Sequence, residues 1–238
     1  MTNRIEWCFA WNVGQVSPGS VERAALPFTS KWMKKGMTVT VSFLDDEYGL
    51  EDKIIEFAME WTNDGVKENG ERMANIHFNF QQHPSDPTHI RISFKKKGNW
   101  SAIGTTCQRV VDTSEPTMNF GNLKADSTDE VIRRAVLHEF GHALGLIHEH
   151  QNPVGGIKWN RTNVYRDLML PPNKWTQDEV DKNMFYAYER DETNFTAYDS
   201  QSIMIYPIPK RWTTDSTSVA WNTDFSAKDR DFIRGQYP

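Results

Sequence analysis

Residues 138–148 read His138-Glu139-Phe140-Gly141-His142-Ala143-Leu144-Gly145-Leu146-Ile147-His148. On a helix, His138 and His142 fall one turn apart on the same face, so two imidazoles can grip one ion. Glu139 sits about 100° further round, able to reach a ligand-bound water without binding the ion itself. Gly145 is a natural left-handed stop that turns the chain back and lets His148 approach from a third direction. Three neutral imidazoles and one open position are what a catalytic zinc ion requires, whereas a structural zinc is closed by a fourth protein ligand. On this reading the chain holds one catalytic Zn2+, and Glu139 is placed to take a proton from a water on the ion. The competing reading is a surface helix that holds histidines by accident. From the chain's own residue frequencies, that accident would occur in roughly 1 in 10⁴–10⁵ chains.

The elements that must position these residues are legible in the same way. Ser127-Thr128-Asp129-Glu130 predicts a capping box at the start of the metal-binding helix. Val131, Ala135, Leu137 and Leu144 give that helix a long apolar surface. Upstream, Val39, Val41 and Phe43 alternate with polar residues as in a half-buried strand. Residues 50–61 have helical spacing, residues 76–80 and 90–94 alternate, and residues 100–103 and 117–123 form shorter strand candidates. Downstream, residues 176–184 predict a helix, and Ser226 with Asp229 caps a last one. The pattern is α+β: a twisted mixed sheet with two long helices, then an irregular C-terminal part ending in a helix. Residues 1–30, with Gly14, Pro18, Gly19 and Pro27, read as a leading arm, and residues 31–238 as one domain.

Composition narrows the partners. The chain has 238 residues, and 27 Lys and Arg against 32 Asp and Glu leave a formal charge of −5. Without a basic block, nucleic acid and anionic membranes are excluded as its main partners. No run approaches the ~18 apolar residues of a membrane span, and residues 1–13 lack the apolar core of a signal peptide. Cys8 and Cys107 allow one disulfide at most, and two reduced thiols are an equal expectation. His77 lies on a strand while His83 and His89 flank a proline-containing turn, a poor arrangement for a second zinc. His150 is expected to be solvated.

HExxHxxGxxH is the signature of the metzincin zinc peptidases, and further segments resemble their astacin branch. A glutamate, Glu149, directly follows the third histidine. Ser202-Ile203-Met204-Ile205-Tyr206 is similar to that branch's Ser-x-Met-His-Tyr segment, and Gly98-Asn99-Trp100-Ser101-Ala102-Ile103-Gly104 to its Gly-Cys-Trp-Ser-Tyr-Val-Gly segment. Residues 225–237 resemble its closing helix. Ile205 stands where the branch usually has His, and Asn99 where it has a half-cystine, so the chain resembles a divergent member.

The resemblance implies a metzincin-like zinc endopeptidase that binds an extended peptide in a cleft and works as a monomer. It implies that Tyr206 is a fifth zinc ligand that swings away to stabilise the oxyanion, and that Met204 is a floor beneath the ligands. Glu149 would pair with a mature N-terminal amine, or else be a surface carboxylate. Residues 100–103 would be the substrate-facing edge strand, or else a core strand around Trp100. The resemblance implies secretion, although no leader is evident, and Cys8 lies in no known latency motif. Two rivals remain. Glu149 and Tyr206 argue against a matrixin-type zinc peptidase, and intact Glu139 argues against a non-catalytic zinc-binding module.

Overall fold

A computed structural model describes residues 30–33, 36–47, 49–63, 73–82, 84–171, 173–187 and 197–238, together with the backbone of residues 9–11. The remainder of the expected N-terminal arm, including Cys8, lies outside the described residues, as does His83. Six strands form one sheet: β1 (Phe9–Trp11), β2 (Met37–Phe43), β3 (Ile76–Gln81), β4 (Ile90–Ser93), β5 (Asn99–Ala102) and β6 (Met118–Phe120). Their order is β1-β5-β6-β4-β2-β3. Every pairing is parallel except that of β5 with β6.

Alternation explains the sheet's one-sided core. In β2, Val39 and Val41 are fully buried, while Thr38 is exposed and Thr40 between the valines is half-buried. Helix α1 (Glu51–Met59) buries Ile54, Phe57 and Ala58 at helical spacing. It packs on α2 (Asp129–Ala143), the helix that carries the histidine motif. Arg133 of α2 makes a fork to Glu60, with Nε–Oε1 at 2.9 Å and Nη2–Oε2 at 2.7 Å. That fork pins the two helices at their exposed seam.

The cap of α2 differs from the expected box by one residue. Thr128 is the N-cap, extended at ψ 153°, and its hydroxyl accepts the Val131 N–H at 3.4 Å. Ser127 is used instead in the preceding turn, where its Oγ accepts the Lys124 N–H at 2.9 Å. Among the described residues three further α-helices follow: α3 (Arg161–Met169), α4 (Gln177–Val180) and α5 (Ala227–Gln236). A capping box is present at Thr176 and Glu179 of α4 and at Ser226 and Asp229 of α5. Helix α4 runs on into a single wider turn, Asp181–Phe185.

Two apolar cores result. One lies between the sheet, α1 and α2, and takes in Met204, Phe225 and Ile233. The other gathers Val164, Leu168, Trp175, Met184, Ile205, Tyr206 and Trp212. Met204 and Ile205 are consecutive yet belong to different cores, so the chain crosses the seam at that peptide. No helix among the described residues is long and apolar enough to cross a membrane.

Candidate metal centre

The centre lies on that seam. Residues 132–143 of α2 are almost continuously buried, including His138, Glu139 and His142. Gly145 takes φ 95°, a left-handed value that favours glycine, and the helix ends there. The Gly145 N–H donates to His142 O at 2.8 Å and the Leu146 N–H to Gly141 O at 2.9 Å, so the last carbonyls of α2 are satisfied as the chain reverses. Two aromatic donors hold the same end: Trp32 Nε1 donates to Ala143 O at 2.9 Å and Tyr237 Oη to Leu144 O at 2.6 Å. The returning strand is tied down when the Glu149 N–H donates to Met204 O at 3.0 Å.

This reversal delivers His148 beside the two helical histidines. A nitrogen from each of His138, His142 and His148 lies within 4.8 Å of the other two. His142 Nε2 and His148 Nε2 are 3.1 Å apart. Two ligand nitrogens on a tetrahedral zinc, each ~2.0–2.1 Å from it, would lie a little over 3 Å from one another, so the spacing suits such an ion. His138 Nδ1 faces Ile203 O at 2.8 Å, and His142 Nδ1 faces Leu146 O at 2.8 Å. Each carbonyl takes a proton on Nδ1, which leaves Nε2 as the lone-pair side. His138 Nε2 is buried and has no hydrogen-bond partner. Burial holds the His138 and His148 imidazoles well below the usual histidine range and lowers His142 to about 4, with the Arg134 charge pushing the same way. The three rings are therefore neutral at ordinary pH, the state a divalent ion needs.

The surroundings also come together. Met204 lies under α2, close enough that a Cβ on Gly141 would sit 2.4 Å from its Sδ. Tyr206 is buried, its ring centroid 4.3 Å from that of His148 and 6.1 Å from that of His138. The Glu149 carboxyl accepts the Asp199 N–H at 2.8 Å and Asn152 Nδ2 at 3.0 Å. Burial raises Glu149 to about 7, so it is not an ordinary surface carboxylate. Strand β5, expected to be either an edge or a core strand, has β6 on one side and β1 in parallel on the other.

His150 corrects the sequence reading. Instead of facing water it is buried, with Nε2 2.7 Å from Asn183 O and its ring stacked on His148 at 5.2 Å and on Tyr206 at 4.8 Å. The chain passes here through the 3-10 turn Glu149–Gln151, and the ring is enclosed by His148, Trp159, Tyr206 and the Asn183 carbonyl rather than by water. Two participants have no reading in the sequence as part of the site: Arg134 carries no motif, and Asp229 reads only as a helix cap. Arg134 reaches the Met204 segment, and Asp229 accepts the Ile203 N–H at 2.8 Å and the Ser202 hydroxyl at 2.7 Å. The available signal for Arg134 was a cation one turn before His138 on the same helical face.

No family model and no curated protein matches the chain. Among solved structures it is similar to myroilysin, at 38% identity and a TM-score of 0.80, over 89% of this chain and 97% of that one. A second myroilysin structure matches at 34% identity and a TM-score of 0.67, over 99% of this chain and 92% of that one. High choriolytic enzyme 1, a hatching enzyme zinc-protease from Oryzias latipes (medaka fish), shares the fold at 18% identity and a TM-score of 0.50, over 88% and 94% of the two chains. Identity above one third, spread over nearly all of both chains rather than confined to a motif, places this chain among the astacin-like metzincins, the family of zinc metalloendopeptidases to which myroilysin belongs.

Proposed function

We propose that the chain hydrolyses internal peptide bonds at a zinc ion held by His138, His142 and His148, with Glu139 as general base. The observation that carries this is the convergence of three buried neutral imidazoles whose metal-facing nitrogens lie together. The donor set fits zinc: three nitrogen ligands, neutral rings, two Nδ1 atoms fixed by carbonyls, and a fourth direction closed by no carboxylate or thiolate among the described residues. When bound, the ion would supply a Lewis acid that polarises the scissile carbonyl and acidifies a water. Glu139, buried beside His138 on α2, takes the proton from the attacking water and returns it to the leaving nitrogen. Tyr206 would be a fifth ligand of the ion, and its hydroxyl would donate a hydrogen bond to the developing oxyanion.

The peptide lies extended along β5, adding backbone hydrogen bonds as a further strand. That edge is the one β1 pairs with, so peptide and β1 compete for it. Residues 1–30 are accordingly an arm, and residues 31–238 the catalytic domain, acting as a monomer.

The test pairs wild type with Glu139→Gln on a quenched fluorescent peptide, with zinc content measured on both. The expected result is full zinc in both proteins, and cleavage in wild type that a chelator removes and added zinc restores. Glu139→Gln should retain at most a thousandth of wild-type cleavage, since base and acid are lost together. Cleavage that survives both chelation and Glu139→Gln refutes the mechanism, and zinc uptake without cleavage by wild type identifies a binding module instead.

A further inference from the structure

We propose that Arg134 is a positioning residue of the metal centre, a clamp on the two carbonyls flanking Met204 that fixes the acceptor against which His138 is aligned. The inference rests on the zinc reading above and adds a residue to it.

Arg134 lies one turn before His138 on α2 and is only 5% exposed. Its Nη1 donates to Ile203 O at 3.2 Å and its Nη2 to Ile205 O at 3.1 Å. Ile203 O is also the atom that faces His138 Nδ1 at 2.8 Å, so guanidinium and imidazole share one acceptor. The indole of Trp221 covers the guanidinium, with the Arg134 Cζ 5.0 Å from the ring centroid.

A permanent charge buried in the apolar stripe of a helix is costly, and an aliphatic residue would fill the space without that cost. What the guanidinium adds is a planar fork that engages two carbonyls at once, which a lysine ammonium cannot reproduce. Those carbonyls bracket the peptide where the chain passes from one core to the other, with Met204 on one side and Ile205 and Tyr206 on the other. The Ile203 residue is thus held at both ends: its N–H by the Asp229 carboxylate at 2.8 Å, its carbonyl by Arg134 and His138. An acceptor fixed in this way sets the His138 tautomer and ring plane. It also sets where the segment leading to Tyr206 begins.

Groups that orient a metal ligand from behind typically change metal affinity 10- to 100-fold when removed. The experiment uses the full chain loaded with zinc, comparing wild type, Arg134→Met and Arg134→Lys. It follows zinc release to a chromophoric chelator, the absorption spectrum of the cobalt-substituted protein, kcat and KM, and thermal unfolding. Arg134→Met should release zinc at least about tenfold faster, shift the cobalt bands, and lower kcat more than it raises KM. Arg134→Lys, which reaches one carbonyl, should fall between, and it carries the comparison if Arg134→Met does not fold. Variants that melt earlier but keep wild-type zinc release and cobalt spectrum would show Arg134 to be packing alone and overturn the proposal. A wild-type chain that takes up neither zinc nor cobalt would overturn the zinc reading and this proposal with it.

Discussion

Gly141 lies between the first two histidines of the motif, and its replacement by alanine sets two opposing effects against each other. In a helix interior, Gly→Ala by itself stabilises by about 1 kcal/mol, because the glycine loses more backbone freedom on folding. Here the new Cβ would lie 2.4 Å from Met204 Sδ, 3.1 Å from Met204 Cε and 3.1 Å from Trp61 Cζ2. Ordinary contact between such atoms is ~3.5–4.0 Å, so Met204 must retreat by more than about 1 Å. It has little room. Its N–H is bound to Ser202 Oγ at 3.0 Å, its carbonyl takes the Glu149 N–H at 3.0 Å, and Trp61 is fixed by a 2.8 Å bond from Nε1 to Leu137 O. Overpacking of this kind costs about 1–3 kcal/mol, so the helix gain offsets part of it and the net loss is about 0–2 kcal/mol. The functional loss should be larger, since a displacement of ~1 Å at a catalytic centre can cost on the order of 100-fold. Urea unfolding, zinc release and kcat/KM on a quenched peptide measure the three effects separately. The expected pattern for Gly141→Ala is a small stability change with a large drop in kcat/KM. In a double-mutant cycle, Met204→Ala should relieve part of the Gly141→Ala penalty, because the atom it collides with is gone. If Gly141→Ala instead gains about 1 kcal/mol and keeps wild-type zinc release and kcat/KM, the close packing of Met204 against α2 is wrong.

Tyr237→Phe removes the hydroxyl that donates to Leu144 O and leaves a buried carbonyl at the end of α2 without that donor; urea unfolding should show a loss of about 1–3 kcal/mol. The metal-free chain should lose stability as pH falls from about 6.5 to about 4. His142, lowered to about 4 by burial, stays neutral in the native state over that window while the unfolded chain gains a proton, a penalty of about 3 kcal/mol for this group alone. His138 and His148 are lowered in the same direction, whereas Glu149, raised to about 7, works the opposite way between about 4.5 and 7. Thermal melts in chelator across pH should therefore fall on the acid side, and Glu149→Gln should steepen that net slope; a flat profile for wild type would contradict the buried neutral imidazoles. Removal of residues 1–29 takes β1 from the outer edge of β5 and should raise kcat/KM for peptides, whereas an unchanged value would show that β1 and substrate do not share that edge.

What the sequence disclosed and what it hid divide along the range of the interactions involved. The helix carrying His138 and His142, its stop at Gly145 and the cap of α5 all depend on residues three or four apart, so periodicity and turn chemistry reveal them. Alternation likewise revealed β2, β3 and β4, whereas strand order and register rest on contacts far apart in sequence. The N-cap moved from Ser127 to Thr128 because both are competent and the preceding turn claimed Ser127, a choice that local pattern cannot make. Helix α3 was missed although Asn160 accepts the Asn163 N–H at its start and Val164 and Leu168 sit one turn apart, because only those two positions of its apolar stripe are buried. His150, expected in water, is buried because Asn183 and Tyr206, more than thirty positions away in the chain, close over it.

The residues that complete the site depend on longer reach still. Arg134 and His138 both meet Ile203, more than sixty positions away, and Asp229 reaches that same residue from the last helix. Arg134 and Asp229 each have an innocuous local reading: a helical arginine and a helix-capping aspartate. Their roles follow only from the seam between two cores, where a single peptide must satisfy one core with Met204 and the other with Ile205. A backbone that changes core cannot bury its own polar groups in either, so its carbonyls and N–H groups must find charged or imidazole partners. The positions of Arg134, His138 and Asp229 answer that requirement, which makes His138, the proposed metal ligand, one member of the network that lets the chain cross.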